Sequence, residues 1–276
     1  DASLVHERRL EHHDHVGIGD RVVAADRSVG DPGESSERRA AAFRAEAIEA
    51  AGGDIRRVKL HKVFSALDRT KPLTLLEPDP KQFFVTQSGL LGEGLPTHKT
   101  MYAAEAKEYA LAPGQDKVEV RLVARDTAGV EVVKKLSFRR GTYEIAVSYE
   151  VKNTGEKAAA PFAYFQFLRD GNQPSQEAAQ TSAFAGVATF TGPALYTEES
   201  KFVKVDFKDI EKGKQAHPKK TKDGWIAVVQ HYFVSAWLPS GGEREFFTSK
   251  VGENLYTAGV VVPVGAIAPG ASASVS

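Results

Sequence analysis

The chain of 276 residues contains no cysteine, one methionine and two tryptophans. The lack of cysteine excludes disulfides, thiolate nucleophiles, Cys-ligated zinc and iron–sulfur clusters, and it leaves the compartment open, since such a chain folds in either redox environment. Net charge is missing too: 36 Lys plus Arg stand against 36 Asp plus Glu. No global field therefore draws the chain to nucleic acid or to an acidic membrane surface, and no nucleic-acid partner is expected. There is no uninterrupted apolar run of about 18 residues, and the charged first residues do not form a basic stretch followed by an apolar core. As given, the sequence is expected neither to span a membrane nor to carry an export signal. Gly-x-Ser-x-Gly, a glycine-rich phosphate loop and a dinucleotide fingerprint are absent, and His-Glu-x-x-His fails because Leu10 stands where the second His belongs. No catalytic residue, metal site or cofactor is assigned.

What remains is an ordinary globular composition, 42% apolar and 26% charged, enough for one large all-β domain or two small ones. Residues 1–42 differ from the rest. Charged and small residues dominate there, with a breaker-rich linker at Gly30-Asp31-Pro32-Gly33-Glu34-Ser35-Ser36. This segment reads as a disordered, flexible arm. Its His6, His12, His13 and His15 lie beside carboxylates but have no metalloprotease spacing, and the reading taken is an incidental His-rich arm.

From Phe43 the pattern is β. Gly52-Gly53-Asp54 reads as a turn before a strand from Ile55 to Leu60, and Lys71 to Pro80 as a short strand closed by prolines. Phe83 to Thr86 reads as another short strand, followed by a plain turn over Gln87 to Gly94. The clearest part is a meander. Val118, Val120, Leu122 and Ala124 alternate with polar neighbours, Val130 to Phe138 follow, and Tyr143, Ile145, Val147, Tyr149 and Val151 form one face of the next strand. Strands at this spacing without long helices predict an antiparallel β-sandwich. Pro161 to Leu168 reads as a strand, Arg169 to Ala183 as a long polar connection, Phe184 to Phe190 as a strand broken by Gly192-Pro193, and the lysines from Lys212 to Lys222 as a solvated loop.

Gly224 to Pro239 is the most apolar and aromatic stretch and holds both tryptophans, Trp225 and Trp237. At about 3.3 Å per residue it would span roughly 45 Å, too long for one ordinary strand, so a break near Gln230-His231 and two consecutive strands are predicted. Simple alternation puts His231 on one face with Trp225, Val229, Phe233 and Trp237. That makes His231 the best single acid–base candidate, with Glu77, Asp79 and Glu93 as candidate partners, although a core histidine is the reading preferred.

Several runs in order resemble the large periplasmic domain of the YidC membrane-protein insertase family. They are Gly52-Gly53-Asp54-Ile55, Leu75-Leu76-Glu77, Gln87-Ser88-Gly89-Leu90, Phe138-Arg139-Arg140-Gly141-Thr142-Tyr143, Val151-Lys152-Asn153-Thr154-Gly155-Glu156-Lys157, Phe190-Thr191-Gly192, and Gly224 to Phe233 with Trp237-Leu238-Pro239. The resemblance implies a β-supersandwich over residues 43–276, two large antiparallel sheets face to face, lying in the periplasm as part of an inner-membrane protein. It also implies a non-catalytic role, with membrane segments outside this sequence and partners in the SecD and SecF accessory subunits of the translocase and in nascent membrane proteins. The SecF-contacting surface carries over to Phe190, Gly192, Tyr196, Lys201, Phe202 and Phe207. The stretch before Phe43 matches neither the family's first membrane helix nor its usual linker. The end lacks the last part of the sandwich, so a piece of a longer chain is expected. The alternative is a carbohydrate-binding or aldose-epimerase-like enzyme on the same fold, suggested by His231-Tyr232-Phe233.

Overall fold

The structure, a computed structural model, describes residues 21–25, 44–64, 70–112, 114–127, 129–172, 190–230 and 233–276. In chain order the first strands are β1 (Arg21–Ala25), β2 (Arg44–Glu49), β3 (Ile55–Phe64), β4 (Pro72–Asp79), β5 (Gln82–Leu91), β6 (Ala103–Ala104) and β7 (Glu108–Ala110). The meander follows as β8 (Lys117–Thr127), β9 (Val130–Arg139) and β10 (Ile145–Asn153), and then β11 (Phe162–Asp170), β12 (Thr191–Thr197) and β13 (Lys201–Lys204). A single-turn helix, α1 (Phe207–Glu211), precedes β14 (Lys220–Thr221), β15 (Trp225–Gln230), β16 (Phe233–Trp237), β17 (Arg244–Gly252), β18 (Leu255–Pro263) and β19 (Ser272–Val275).

These strands make a ten-stranded sheet in the order β14-β17-β18-β11-β5-β4-β3-β2-β1-β7, a five-stranded sheet β19-β10-β9-β8-β6, and a four-stranded sheet β13-β12-β15-β16. Among the described strands every pairing is antiparallel except that of β1 with β7. β11 shows how the two smaller sheets share one partner. Its Ala163, Phe165, Phe167 and Arg169 face inward, and the Phe165 ring meets Tyr149 of β10 at 6.0 Å and Trp237 of β16 at 5.3 Å. The large sheet is therefore one layer, and both small sheets lie against its inner face, which is the expected supersandwich. The meander is as its alternation predicts: Val120, Leu122 and Ala124 of β8 are buried, as are Val147, Tyr149 and Val151 of β10, with β9 paired between the two strands.

The expected arm is not wholly outside the sheets, since Arg21–Ala25 pair with β2 and β7. Three local expectations are corrected. Gln87 to Leu90 are not a turn but the interior of β5, and the chain turns only at Gly92 to Gly94. Gly89 is needed because the Tyr164 hydroxyl and the Thr97 backbone lie 2.7 and 2.8 Å from where a Cβ would stand. Gly192-Pro193 do not break a strand but lie inside β12, where Pro193 faces the end of the β13 ladder and its missing N–H costs no strand pairing. Arg169 is not the start of a surface loop but the buried inward residue at the end of β11.

The break at Gln230 is as predicted, with β15 and β16 paired as a hairpin. The shared face is not. Ile226 stands directly opposite Trp237, so Trp237 points inward with Ile226 and Val228 while Trp225 points outward. A turn resets the period-two alternation that continuous counting assumes.

Candidate docking surface

Tyr196 on β12 pairs directly with Phe202 on β13 and with Trp225 on β15, so the three rings form one row on the outer face of the four-stranded sheet. Tyr196 stacks on Trp225 with centroids 6.0 Å apart and planes at 14°, and Phe202 tilts over Trp225 at 6.1 Å. Phe202 keeps 49% of its surface exposed. The row is held in place by the turn between β12 and β13. There the Glu198 N–H donates to Asp223 Oδ2 at 2.6 Å, the Ser200 N–H to Thr197 Oγ1 at 3.0 Å, and Lys201 takes a left-handed φ of 55°. The exposed Lys201 ammonium donates to Glu198 Oε2 at 3.1 Å, and that bond raises its pKa. Asp223 is held below the usual carboxylate range first by the Thr221 hydroxyl and then by the Glu198 N–H.

Of the six positions expected to form a contact surface, Tyr196, Lys201 and Phe202 come together here. Phe190 lies half-buried beside them with the Lys204 ammonium 5.1 Å over its ring, and Gly192 is packed beneath it, its Cβ position 3.0 Å from that ring. Phe207 does not join the row. It anchors α1 to the large sheet by packing on Tyr256 of β18 at 4.6 Å. Trp225 belongs to the surface although its sequence context reads as core, and the register Tyr196↔Trp225 is what reveals it.

His231, the acid–base candidate, and the arm histidines lie outside the described residues. Glu77 pairs with Arg57 at 3.2 Å and Asp79 accepts the Lys81 N–H at 2.7 Å, both in surface positions. The buried polar chemistry is elsewhere. Lys134 on β9, 1% exposed, donates to Asp54 Oδ1 at 2.8 Å and to the Gly52 carbonyl at 2.7 Å. Asp54 also accepts the Ser88 N–H at 3.0 Å, and the Ser88 and Tyr149 hydroxyls bond at 3.0 Å. Burial raises the pKa of the Asp54 carboxyl against the opposing pull of Lys134. The glycine–aspartate turn legible in the sequence thus carries the inner ion pair that ties the five-stranded sheet to the large one. Removing one partner of such a pair costs about 3–5 kcal/mol. This arrangement joins layers and presents no open face to a substrate.

Fold and surface together define a two-layer β-supersandwich scaffold whose smaller outer sheet displays a row of rings. The chain belongs to the YidC periplasmic domain family, whose profile matches residues 43–276. Its relatives include a protein named membrane protein insertase YidC from Nitrosospira multiformis, 51% identical over 230 residues, which cover 83% of this chain and 39% of that one. A protein of the same name from Aromatoleum aromaticum is 50% identical over 229 residues, 83% of this chain and 41% of its own. The chain thus spans about two fifths of the length of these relatives. Among solved structures, a galactose mutarotase related enzyme from Lactobacillus acidophilus aligns with a TM-score of 0.49 at 9% identity, covering 86% of this chain and 93% of that one. The Slr1438 protein of Synechocystis aligns at 0.40 and 9%, covering 95% and 97%. No activity is carried over from likenesses this loose. No helix among the described residues is long and apolar enough to cross a membrane.

Proposed function

We propose that residues 43–276 form a non-catalytic periplasmic domain of a bacterial inner-membrane protein insertase, with residues 1–42 as an appended arm. The domain docks the SecD and SecF accessory subunits of the translocase and touches nascent membrane proteins, while insertion is carried out by membrane segments outside this sequence. Support for the insertase role comes from the family and from the name its relatives share. Support for docking comes from one observation, the outward row Tyr196, Phe202 and Trp225 bordered by Lys201 and Lys204. Exposed rings at the centre of a patch with charges at its rim are the usual anatomy of a protein-binding surface.

Charge reversal at Lys201 and Lys204, or Phe202→Ala, is expected to weaken SecF capture by about tenfold or more. The melting temperature should stay within about 1–2 °C of the parent, because these side chains are exposed. Calorimetric titration measures both affinity and stoichiometry. Unchanged affinity in all three variants would remove this face from the contact.

A further inference from the structure

The lysine-rich stretch after α1 is not a free loop but a strip laid along one edge of the large sheet. From Phe207 to Lys222 the chain follows β17 in the opposite direction. Phe207 packs on Tyr256, which pairs with Lys250 of β17, and Ile210 is buried. Gln215 Nε2 then donates to the Thr248 carbonyl at 3.4 Å, and a ring nitrogen of His217 lies 3.1 Å from the Thr248 hydroxyl. Further on, the Phe246 N–H donates to the Lys219 carbonyl at 2.7 Å, and Lys220 and Thr221 pair with Glu245 and Arg244. The contacts thus pass in order from the level of Lys250 to that of Arg244, about 20 Å at ~3.3 Å per residue. Lys208, Lys212, Lys214, Lys219, Lys220 and Lys222 are all exposed along this line.

Residues 207–222 hold these six lysines, no arginine and two acids, Asp209 and Glu211, within a chain whose net charge is zero. Glu211 is already engaged. It accepts from the Tyr256 hydroxyl at 2.7 Å and from the Lys250 ammonium at 2.9 Å, and these bonds hold it below the usual carboxylate range. Glu245 lies 3.9 Å from the Lys220 ammonium, which stays 82% exposed. Among the described residues no carboxylate forms an ion pair with Lys208, Lys212, Lys214, Lys219 or Lys222. Guarding the sheet edge does not account for them. The β17 edge is already covered by the backbone of this segment, and the two-residue β14 is too short to template a further strand.

We infer that this strip is an electrostatic contact for anionic phospholipid headgroups, by which one edge of the sandwich rests on the bilayer. The inference rests on the reading of the chain as a domain of an inner-membrane protein, which puts a bilayer within reach. Residue type selects the partner. Lysine is depleted at protein–protein interfaces, where arginine, tyrosine and tryptophan are enriched. A hydrated ammonium on a flexible stem meets phosphate as a point charge and needs no fixed geometry, which suits a layer of mobile headgroups. Each lysine close to an anionic surface strengthens binding by about fivefold, and salt screens the effect over a Debye length of about 10 Å at 0.1 M. The aromatic row of Tyr196, Phe202 and Trp225 has the composition of a protein contact and belongs to a different sheet.

The test is co-sedimentation of the 276-residue chain with vesicles of phosphatidylcholine, alone or with about 30% phosphatidylglycerol. At about 0.05 M salt the anionic vesicles should be bound at least about tenfold more tightly than the neutral ones, and about 0.5 M salt should abolish the preference. The variant Lys212→Gln/Lys214→Gln/Lys219→Gln/Lys222→Gln should lose at least about tenfold in affinity for the anionic vesicles. Its melting temperature should stay within about 2 °C of the parent, because these side chains are exposed. A matched variant, Lys99→Gln/Lys107→Gln/Lys152→Gln/Lys157→Gln, removes four exposed charges elsewhere and should bind within about threefold of the parent. Equal losses in the two variants would reduce the effect to net charge and overturn the strip, as would equal binding to neutral and anionic vesicles. Arginine at the same four strip positions should preserve binding, and a loss there would point to packing instead of charge and overturn the inference. A glutamine variant that binds vesicles as the parent does but loses SecF capture would assign the lysines to a protein contact, with the same consequence. Phe202→Ala, which tests the docking surface, should leave vesicle binding unchanged, so either proposal can fail without the other.

Discussion

At the scale of single residues, the interior is organised by polar groups in fixed protonation states. The Tyr164 hydroxyl accepts the His98 backbone N–H at 3.0 Å and lies 2.6 Å from His98 Nδ1, placed to donate its own proton there. Only a neutral imidazole has a lone pair at that nitrogen. In keeping with this, His98 is depressed to about 4, first by burial and then by the cations Lys99, Lys134 and Arg56. An unfolded histidine titrates near 6.5, so between that value and about 4 the unfolded chain binds a proton that the folded chain refuses. Stability should therefore fall on acidification through this window, by at most about 1.4 kcal/mol per pH unit from this group. Urea midpoints measured from pH 7 down to 4.5 should decline less steeply in His98→Gln than in the parent. Identical slopes would show that His98 protonates freely in the fold.

At the scale of elements, the hairpin of β15 and β16 divides its tryptophans between the two faces of a sheet. Gly224 makes the entry to β15 feasible. It has a φ of 88°, and a Cβ there would stand 1.9 Å from the Tyr196 carbonyl oxygen. Both the conformation and the space exclude a side chain, so Gly224→Ala is expected to cost more than about 1 kcal/mol and to loosen the Tyr196–Trp225 stack. Thermal denaturation and Trp225 fluorescence measure the two effects. An alanine variant as stable as the parent would mean that β12 can move away at no cost. Element boundaries were legible where alternation was unbroken, as in β8 to β10. They were misplaced at Gln87 to Leu90 and at Gly192-Pro193, where glycine and proline serve close approach and a ladder end instead of a turn.

At the scale of the whole molecule, the two small sheets have no strand pairing with each other among the described residues, and both pack on the large one. Phe165 is a side chain that both touch, through Tyr149 and Trp237. Phe165→Ala should destabilise by about 3–5 kcal/mol. Because the layers share this core, circular dichroism and tryptophan fluorescence should report the same lowered midpoint. Separate midpoints would mean that the four-stranded sheet unfolds on its own.

The sequence by itself determined the all-β class, the meander, the break in the Gly224 to Pro239 stretch and, through ordered runs of matching residues, the family. Each of these depends on local alternation or on the identity of a short run. What only the tertiary structure decided is which residues meet across turns and layers. Trp225 is on the surface and Trp237 in the core because a hairpin resets the alternation. Asp54 meets Lys134 across 80 positions. Arg169, which reads as the first residue of a loop, is buried at the end of β11. Such placements depend on strand register and on the packing of one sheet against another, and no local pattern encodes either.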